Sequence, residues 1–76
     1  MITIRYFASL REQLGKEQER IEPAGAMTAL DAWKSANDGK MPPDNVLVAI
    51  NQSYASLDAA VNAGDEVAFF PPVTGG

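Results

Sequence analysis

Apolar and polar residues alternate near both ends of the chain. Residues 2–6 and residues 66–70 each follow the period of two that is typical of a β-strand with one buried face. The side chains that should face the core from these strands are Ile2, Ile4, Tyr6, Val67 and Phe69. The pattern therefore predicts a first strand over 2–6 and a last strand over 66–70.

Two phenylalanines fall on the opposite faces of these predicted strands. Phe7 shares a face with Arg5, and Phe70 shares a face with Glu66. Together with Tyr54, the two rings would form an exposed apolar patch, which is the signature of a docking surface. The alternative is that a strand slips by one residue, which would place Phe7 or Phe70 in the core.

A short helix is predicted directly after the first strand. Ser9 and Glu12 have the Ser-x-x-Glu spacing of a capping box, and Gly15 can adopt the left-handed conformation that ends a helix. These signals predict a helix over 9–14.

The main helix is predicted near the middle of the chain. Thr28 repeats the capping pattern, and apolar residues follow it at helical spacing, which predicts a helix over 29–37. We expect Leu30 and Trp33 to pack on the sheet. A lone Trp on the apolar stripe of a helix is far more often a core residue than a ligand platform.

The remaining stretches predict shorter elements. We expect a charged edge strand over 17–22, a loop over 23–27, a crossing loop over 40–45 and an apolar strand over 46–50. We also expect a turn over 51–53, a brief strand over 54–56, a single helical turn between Leu57 and Val61, and a tight turn over 62–65.

The last strand runs into two prolines and then four further residues. Pro71 and Pro72 cannot donate ladder hydrogen bonds, so they should end the strand and direct the chain away from the sheet. Residues 73–76 could extend about 13 Å beyond the body, and Gly75 and Gly76 would make this segment narrow. We therefore predict a body over 1–72 and a flexible tail over 73–76. The alternative is an ordinary frayed chain end.

Composition restricts the possible chemistry. The chain has 76 residues, consistent with one domain, and it contains no Cys and no His, which excludes disulfides, thiol nucleophiles and imidazole bases. The net charge is −4, and residues 41–76 carry four acids without a Lys or Arg. This acidic half argues against nucleic-acid binding and suits either docking on a basic protein surface or simple solvation. With no apolar run long enough for a membrane span and no room for a signal peptide before the first strand, we expect a cytoplasmic protein.

The order of predicted elements resembles the ubiquitin-like β-grasp, an α+β fold. In this fold a mixed sheet, here of four to five strands with a parallel central pair, curls around one main helix. Residues 64–76, ending Phe-Phe-Pro-Pro-Val-Thr-Gly-Gly, resemble the C-terminal signature of the small, sulfur-carrying subunit of molybdopterin synthase. Residues 7–8, 10–12 and 48–52 resemble other recurring blocks of that family.

This resemblance implies a mechanism centred on the terminal carboxylate of Gly76. In the family, an E1-like adenylating enzyme that uses ATP and Mg activates the carboxylate, and sulfur from a donor protein converts it to a thiocarboxylate. The tail then enters the large catalytic subunit, where sulfur passes to a pterin precursor. The chain itself would bind no cofactor and no metal, and would be a carrier rather than an enzyme.

The resemblance also implies roles for individual residues. Val73, Thr74 and Gly75 would form the tail that leads to Gly76. The residues that would fall in or near the partner-binding surface are Phe7, Arg11, Tyr54 and Phe70. Tyr54 stands where an aliphatic residue is expected.

Two alternatives share the Gly-Gly end. One is the related carrier that supplies sulfur for the thiazole of thiamin, although the Phe-Phe-Pro-Pro-Val-Thr run favours the molybdopterin family. The other is a ubiquitin-like interaction module or a tag that is conjugated to lysines.

Overall fold

Seven strands and two helices form within residues 1–72, the part of the chain that the computed structural model describes. Their order is β1 (Ile2–Tyr6), α1 (Ser9–Leu14), β2 (Gln18–Ile21), β3 (Met27–Thr28), α2 (Ala29–Ala36), β4 (Leu47–Ile50), β5 (Ser53–Ala55), β6 (Ala60–Val61) and β7 (Glu66–Phe70). Neither helix of this part has the length and apolarity that a membrane crossing requires.

Five of the strands form one mixed sheet in the order β2-β1-β7-β4-β5. The central pair, β1 and β7, is parallel, and the other neighbours are antiparallel. The predicted α+β fold, with a parallel central pair in its sheet, is therefore confirmed. Strand β7 is the middle strand of the five, so the chain leaves the sheet from a central strand. The charged strand β2 lies at an edge, as predicted.

The core lies between this sheet and α2. The side chains of β1 and β7 that were predicted to face the core do so. Tyr6 and Phe69 are fully buried, and both rings contact Trp33 on α2 edge-to-face, at centroid distances of 5.7 and 4.9 Å. The other core-facing residues of β1 and β7 are also fully buried; they are Ile2, Ile4 and Val67. Trp33 is thus a core residue.

The buried Tyr6 hydroxyl links the sheet to the end of α2. It accepts a hydrogen bond from Asn37 Nδ2 at 3.1 Å and donates to Glu19 Oε2 at 3.3 Å. Burial raises the pKa of Tyr6 to about 12, so the hydroxyl remains a neutral donor. Lys16 Nζ completes the network by binding Glu19 and the carbonyl oxygen of Ala36.

The two predicted capping boxes have different outcomes. At α2, Thr28 accepts from Asp31 N at 3.2 Å and Asp31 accepts from Thr28 N at 3.0 Å, so the box is confirmed. At α1, the N-cap is Ala8 and makes no side-chain cap bond, so the box at Ser9 was wrong. The chain turns sharply out of β1 at Ala8, with φ 52° and ψ −132°, and Ser9 is already the first residue of the helix. Gly15 ends α1 in the left-handed conformation, as predicted.

This difference gives a matched pair of variants. Thr28→Ala should lower the free energy of unfolding by about 1 kcal/mol, because it leaves a helix N–H without its acceptor. Ser9→Ala should change it by less than about 0.5 kcal/mol, because Ser9 caps nothing. Urea denaturation followed by circular dichroism measures both. Equal losses in the two variants would contradict the assignment of the caps.

Two further predictions need correction around α2. The segment between Leu57 and Val61 forms a turn followed by β6, which pairs with β3, so the predicted helical turn was wrong. Met27 belongs to β3 and is buried, although a loop was predicted there. The carbonyl oxygens of residues 59 and 57 accept the backbone N–H groups of Ala29 and Leu30, both at 3.0 Å. These bonds satisfy N–H groups that the first turn of a helix leaves without partners.

The buried face of α2 differs partly from the predicted one. Ala29, Ala32 and Trp33 are buried, whereas Leu30 is half-buried and lies outside the core cluster. The helix ends at Ala36, one residue before the predicted end, and Asn37 is its C-cap.

Candidate functional site

The sheet face that points away from α2 carries the candidate site. Alternation along β1 and β7 places Arg5, Phe7, Glu66 and Phe70 on this face. Neighbouring strands add Tyr54 from β5. This face therefore carries aromatic and charged side chains that do not belong to the core.

Three aromatic rings on this face contact one another, and we call Phe7, Tyr54 and Phe70 the aromatic cluster. The rings of Phe7 and Phe70 stack with centroids 4.8 Å apart and planes 13° apart. Tyr54 lies 6.5 Å from Phe70 and is 80% exposed, while Phe7 and Phe70 are half-buried against each other. The predicted patch lies on this face, although Tyr54 alone of its three rings is fully exposed. The alternative in which a strand slips by one residue is excluded, because Phe7 and Phe70 lie outside the core.

Small residues form the floor of a shallow groove beside the aromatic cluster. Ala49 and Ala68 are opposite each other in the β4–β7 register, and both are buried under the larger side chains around them. The groove has a volume of about 280 Å³, and its walls include Arg5, Gln52 and Tyr54. A partner's side chain could therefore enter between the aromatic cluster and Arg5.

Arg5 provides the positive charge in this groove. Its guanidinium carbon lies 5.5 Å from the centre of the Phe7 ring, within the range of a cation–π contact. Its Nη1 lies 3.6 Å from Glu66 Oε2. Sequence reasoning placed Arg5 on this face but assigned it no role; its shared parity with Phe7 was the available signal.

The start of β7 is held by hydrogen bonds from the β4–β5 turn. Asn51 Oδ1 accepts from Glu66 N at 3.0 Å, and Asn51 Nδ2 donates to Asp65 Oδ1 at 3.0 Å. The backbone N–H of Asn62 also donates to Asp65, and these two bonds, the Asn62 bond first, lower the pKa of Asp65 below its usual value. Asn51 was predicted only as a turn residue, so its role in positioning β7 was missed.

The chain leaves the sheet directly beside the aromatic cluster. Phe70 is the last residue of β7, and the two residues that follow it are a half-buried Pro71 and an exposed Pro72. The predicted tail residues Val73, Thr74, Gly75 and Gly76 lie outside the described residues. The division into a body over 1–72 and a tail over 73–76 stays a prediction.

Arg11 lies apart from the other predicted partner-binding residues. It is exposed on α1 and does not line the groove that Phe7, Tyr54 and Phe70 share. The structure thus brings together three of the four residues. Their role in binding a partner stays a prediction.

The described residues contain few groups suited to catalysis. Within residues 1–72 no three acidic side chains come close enough together to hold a metal ion. Asp65 is occupied by the bonds described above, and Glu66 faces Arg5. The main features of this face among the described residues are therefore the aromatic cluster and the groove beside it.

The chain is similar over most of its length to several known proteins. Residues 4–76 match the model of the ThiS family. The chain is 40% identical to the molybdopterin synthase sulfur carrier subunit of Escherichia coli over the full length of both chains. It is 38% identical to small archaeal modifier protein 1 of Haloferax volcanii, over 95% of this chain and 97% of the relative. The crystal structure of SAMP1 from Haloferax volcanii superposes with a TM-score of 0.79 at 33% identity and covers 99% of this chain and 98% of that one.

Proposed function

Because this chain belongs to the ThiS family, we propose that it is the sulfur carrier of a molybdopterin synthase, with Gly76 as the residue that carries the sulfur. The observation that supports this most directly is the position of the aromatic cluster beside the exit of β7. If a partner covers the aromatic cluster, the segment of this chain that follows Phe70 lies at the edge of the interface. The full-length similarity to a molybdopterin synthase sulfur carrier subunit supports the same function.

The proposed chemistry begins with activation of the Gly76 carboxylate. With a pKa near 3.5 for an ordinary α-carboxyl group, it is ionised at neutral pH and is a poor acyl electrophile. An E1-like adenylating enzyme supplies ATP and Mg, and the carboxylate oxygen attacks the α-phosphorus so that pyrophosphate leaves. Sulfide (HS⁻), released by a donor protein, then attacks the acyl carbon, and AMP leaves. The product is a thiocarboxylate.

The second stage takes place on the large catalytic subunit. The aromatic cluster docks on that subunit, and the segment 73–76 carries the thiocarboxylate into its active site. There the sulfur bonds to a carbon of the pterin precursor, and water hydrolyses the acyl C–S bond and restores the Gly76 carboxylate. Two such transfers supply the two sulfurs of the dithiolene. Two carriers bound to two large subunits would give the heterotetramer that we expect for the synthase.

In this mechanism the catalytic acids and bases belong to the partners. The chain has no His and no Cys, so none of its serines has an imidazole to activate it. The chain therefore serves as substrate and carrier.

A second candidate function is protein modification. The similarity to small archaeal modifier protein 1 favours it, because a modifier joins its terminus to another protein. Here the Gly76 carboxylate would form an amide with a lysine. A carrier for thiamin thiazole synthesis would use the same thiocarboxylate and differ only in the partner that accepts the sulfur.

Intact-mass measurement distinguishes these functions. After incubation with ATP, the activating enzyme and a sulfur donor, the carrier should gain about 16 Da, since sulfur replaces one oxygen. Subsequent incubation with the large subunit and the pterin precursor should restore the original mass. A folded protein that gains no sulfur under these conditions would count against the carrier, and adducts with lysine-containing proteins would support the modifier.

A further inference from the structure

We propose that Arg5 selects the partner by pairing with a carboxylate that the partner's surface presents beside the aromatic cluster. The inference rests on the proposed function, because it concerns the surface that docks on the large subunit. It adds the chemistry that this subunit must offer, an Asp or Glu within an apolar surface.

The first support is the position of Arg5 in the groove. In the sheet register Arg5 lies across from Ala68, whose small side chain leaves the groove floor low. The Arg5 side chain is 40% exposed and its guanidinium is held over the Phe7 ring. A surface that covers the aromatic cluster therefore also covers Arg5.

The second support is that the guanidinium has donors to spare. Its contact with Glu66 joins one nitrogen to one oxygen at 3.6 Å, between side chains that are both more than a third exposed. Such a pair contributes little. Its Nε is buried and has no acceptor among residues 1–72, so the donors that remain for a partner are those on Nη1 and Nη2. A guanidinium offers five donors in a planar fork, and a carboxylate can accept two of them in parallel at about 2.7–2.9 Å.

The third support is the cost of covering Arg5 without a partner for it. Contact with an apolar surface removes water from the guanidinium, and its single 3.6 Å contact with Glu66 would leave most of its donors without an acceptor, which is unfavourable. The same loss of water strengthens a charge pair that is made. A subunit with the carboxylate would therefore bind, and an otherwise similar apolar surface without it would be rejected.

The test is the affinity of the chain for its large subunit, measured by isothermal titration calorimetry. Arg5→Leu should weaken binding at least 10-fold, and Arg5→Lys should give an intermediate loss because it keeps the charge but not the fork. Glu66→Gln is the matched control on the other member of the pair, and it should bind within threefold of the wild type or more tightly. The wild-type affinity should also fall more steeply with salt than that of Arg5→Leu.

Two results would overturn the inference. If Arg5→Leu binds as tightly as the wild type or more tightly, the face is recognised through apolar contact alone. If Glu66→Gln weakens binding 10-fold, the partner instead presents a cationic side chain that pairs with Glu66. Loading the wild type and the same variants with sulfur distinguishes failure of this inference from failure of the proposed function. A wild-type chain that gains no sulfur refutes the carrier function. A wild type that gains sulfur, together with Arg5 variants that bind the large subunit as tightly as the wild type, refutes only the role of Arg5. Thermal melts of each variant confirm that it is folded.

Discussion

Deleting Gly76 should abolish sulfur transfer while leaving the melting temperature unchanged within error. The reacting atom of the proposed mechanism is the acyl carbon of Gly76, and removal of this residue withdraws the chain end by about 3.5 Å from the partner's active site. In the truncated chain the terminal carboxylate belongs to Gly75. It would not reach the position in the activating enzyme where the carboxylate of Gly76 binds in the wild type. The loss should therefore be complete rather than partial.

The measurement combines intact mass after the loading reaction with a thermal melt. A chain extended by one glycine is a matched comparison, since it keeps every residue of the wild type but displaces the carboxylate, and it should also fail to accept sulfur. A truncated chain that loads normally would exclude Gly76 as the carrier residue. A truncated chain with a much lower melting temperature would show that the segment packs on its own domain.

Phe70→Asp should weaken binding to the large subunit more than it destabilises the fold. The Phe70 ring lies at the centre of the aromatic cluster, in contact with Phe7 and Tyr54. A buried aromatic residue at the centre of an interface commonly contributes at least about 2 kcal/mol, which corresponds to about a 30-fold loss of affinity. The cost to the fold should be only about 1–2 kcal/mol, because the ring is half-exposed and its main internal partner is Phe7.

The neighbouring residue provides the control for this variant. Phe69 points to the other face and is fully buried, so Phe69→Ala should cost about 3–5 kcal/mol. That is a large part of the roughly 4–11 kcal/mol expected for a domain of this size. Urea denaturation and binding measurements on the two variants should therefore give opposite rankings. If Phe70→Asp is instead the less stable variant, the outward position of Phe70 is wrong.

The sequence predicted the sheet well because burial alternates along β1, and because the large side chains of β7 alternate between the two faces of the sheet, although Ala68 is buried as well. One face of each strand meets α2, so a slip of one residue would exchange Val67 and Phe69 for Glu66 and Phe70. The alternation along these two strands therefore predicted both their core residues and the position of Phe7 and Phe70 on the opposite face. The α2 cap was equally readable, because Thr28 and Asp31 act within four residues of each other.

The missed features depend on contacts between distant segments. Strands β3 and β6 have two residues each and exist because they pair with each other, so no local period could indicate them. The helical turn predicted between Leu57 and Val61 gave way to that pairing and to the bonds that this segment makes with the first turn of α2. Ser9 failed as a cap because the reversal at Ala8 begins the helix one residue earlier than the capping pattern implies.

The site was only partly predictable for the same reason. The aromatic cluster follows from parity, but the groove requires the register that sets Ala49 against Ala68. The contact of Arg5 with Glu66 likewise depends on β1 and β7 being parallel neighbours. Arg11, which the resemblance placed in or near the partner-binding surface, lies outside the groove, and its role in binding stays a prediction.

The central position of β7 has a consequence for biosynthesis. β1 and β4 are joined only through β7, the last strand in sequence, so a nascent chain that stops before Glu66 has two separate ladders with open edges. Contacts this distant in sequence form slowly and only after synthesis of the whole sheet. A ribosome that stalls early thus releases no folded body, and every molecule that presents the aromatic cluster also carries the strand from which residues 71–76 continue.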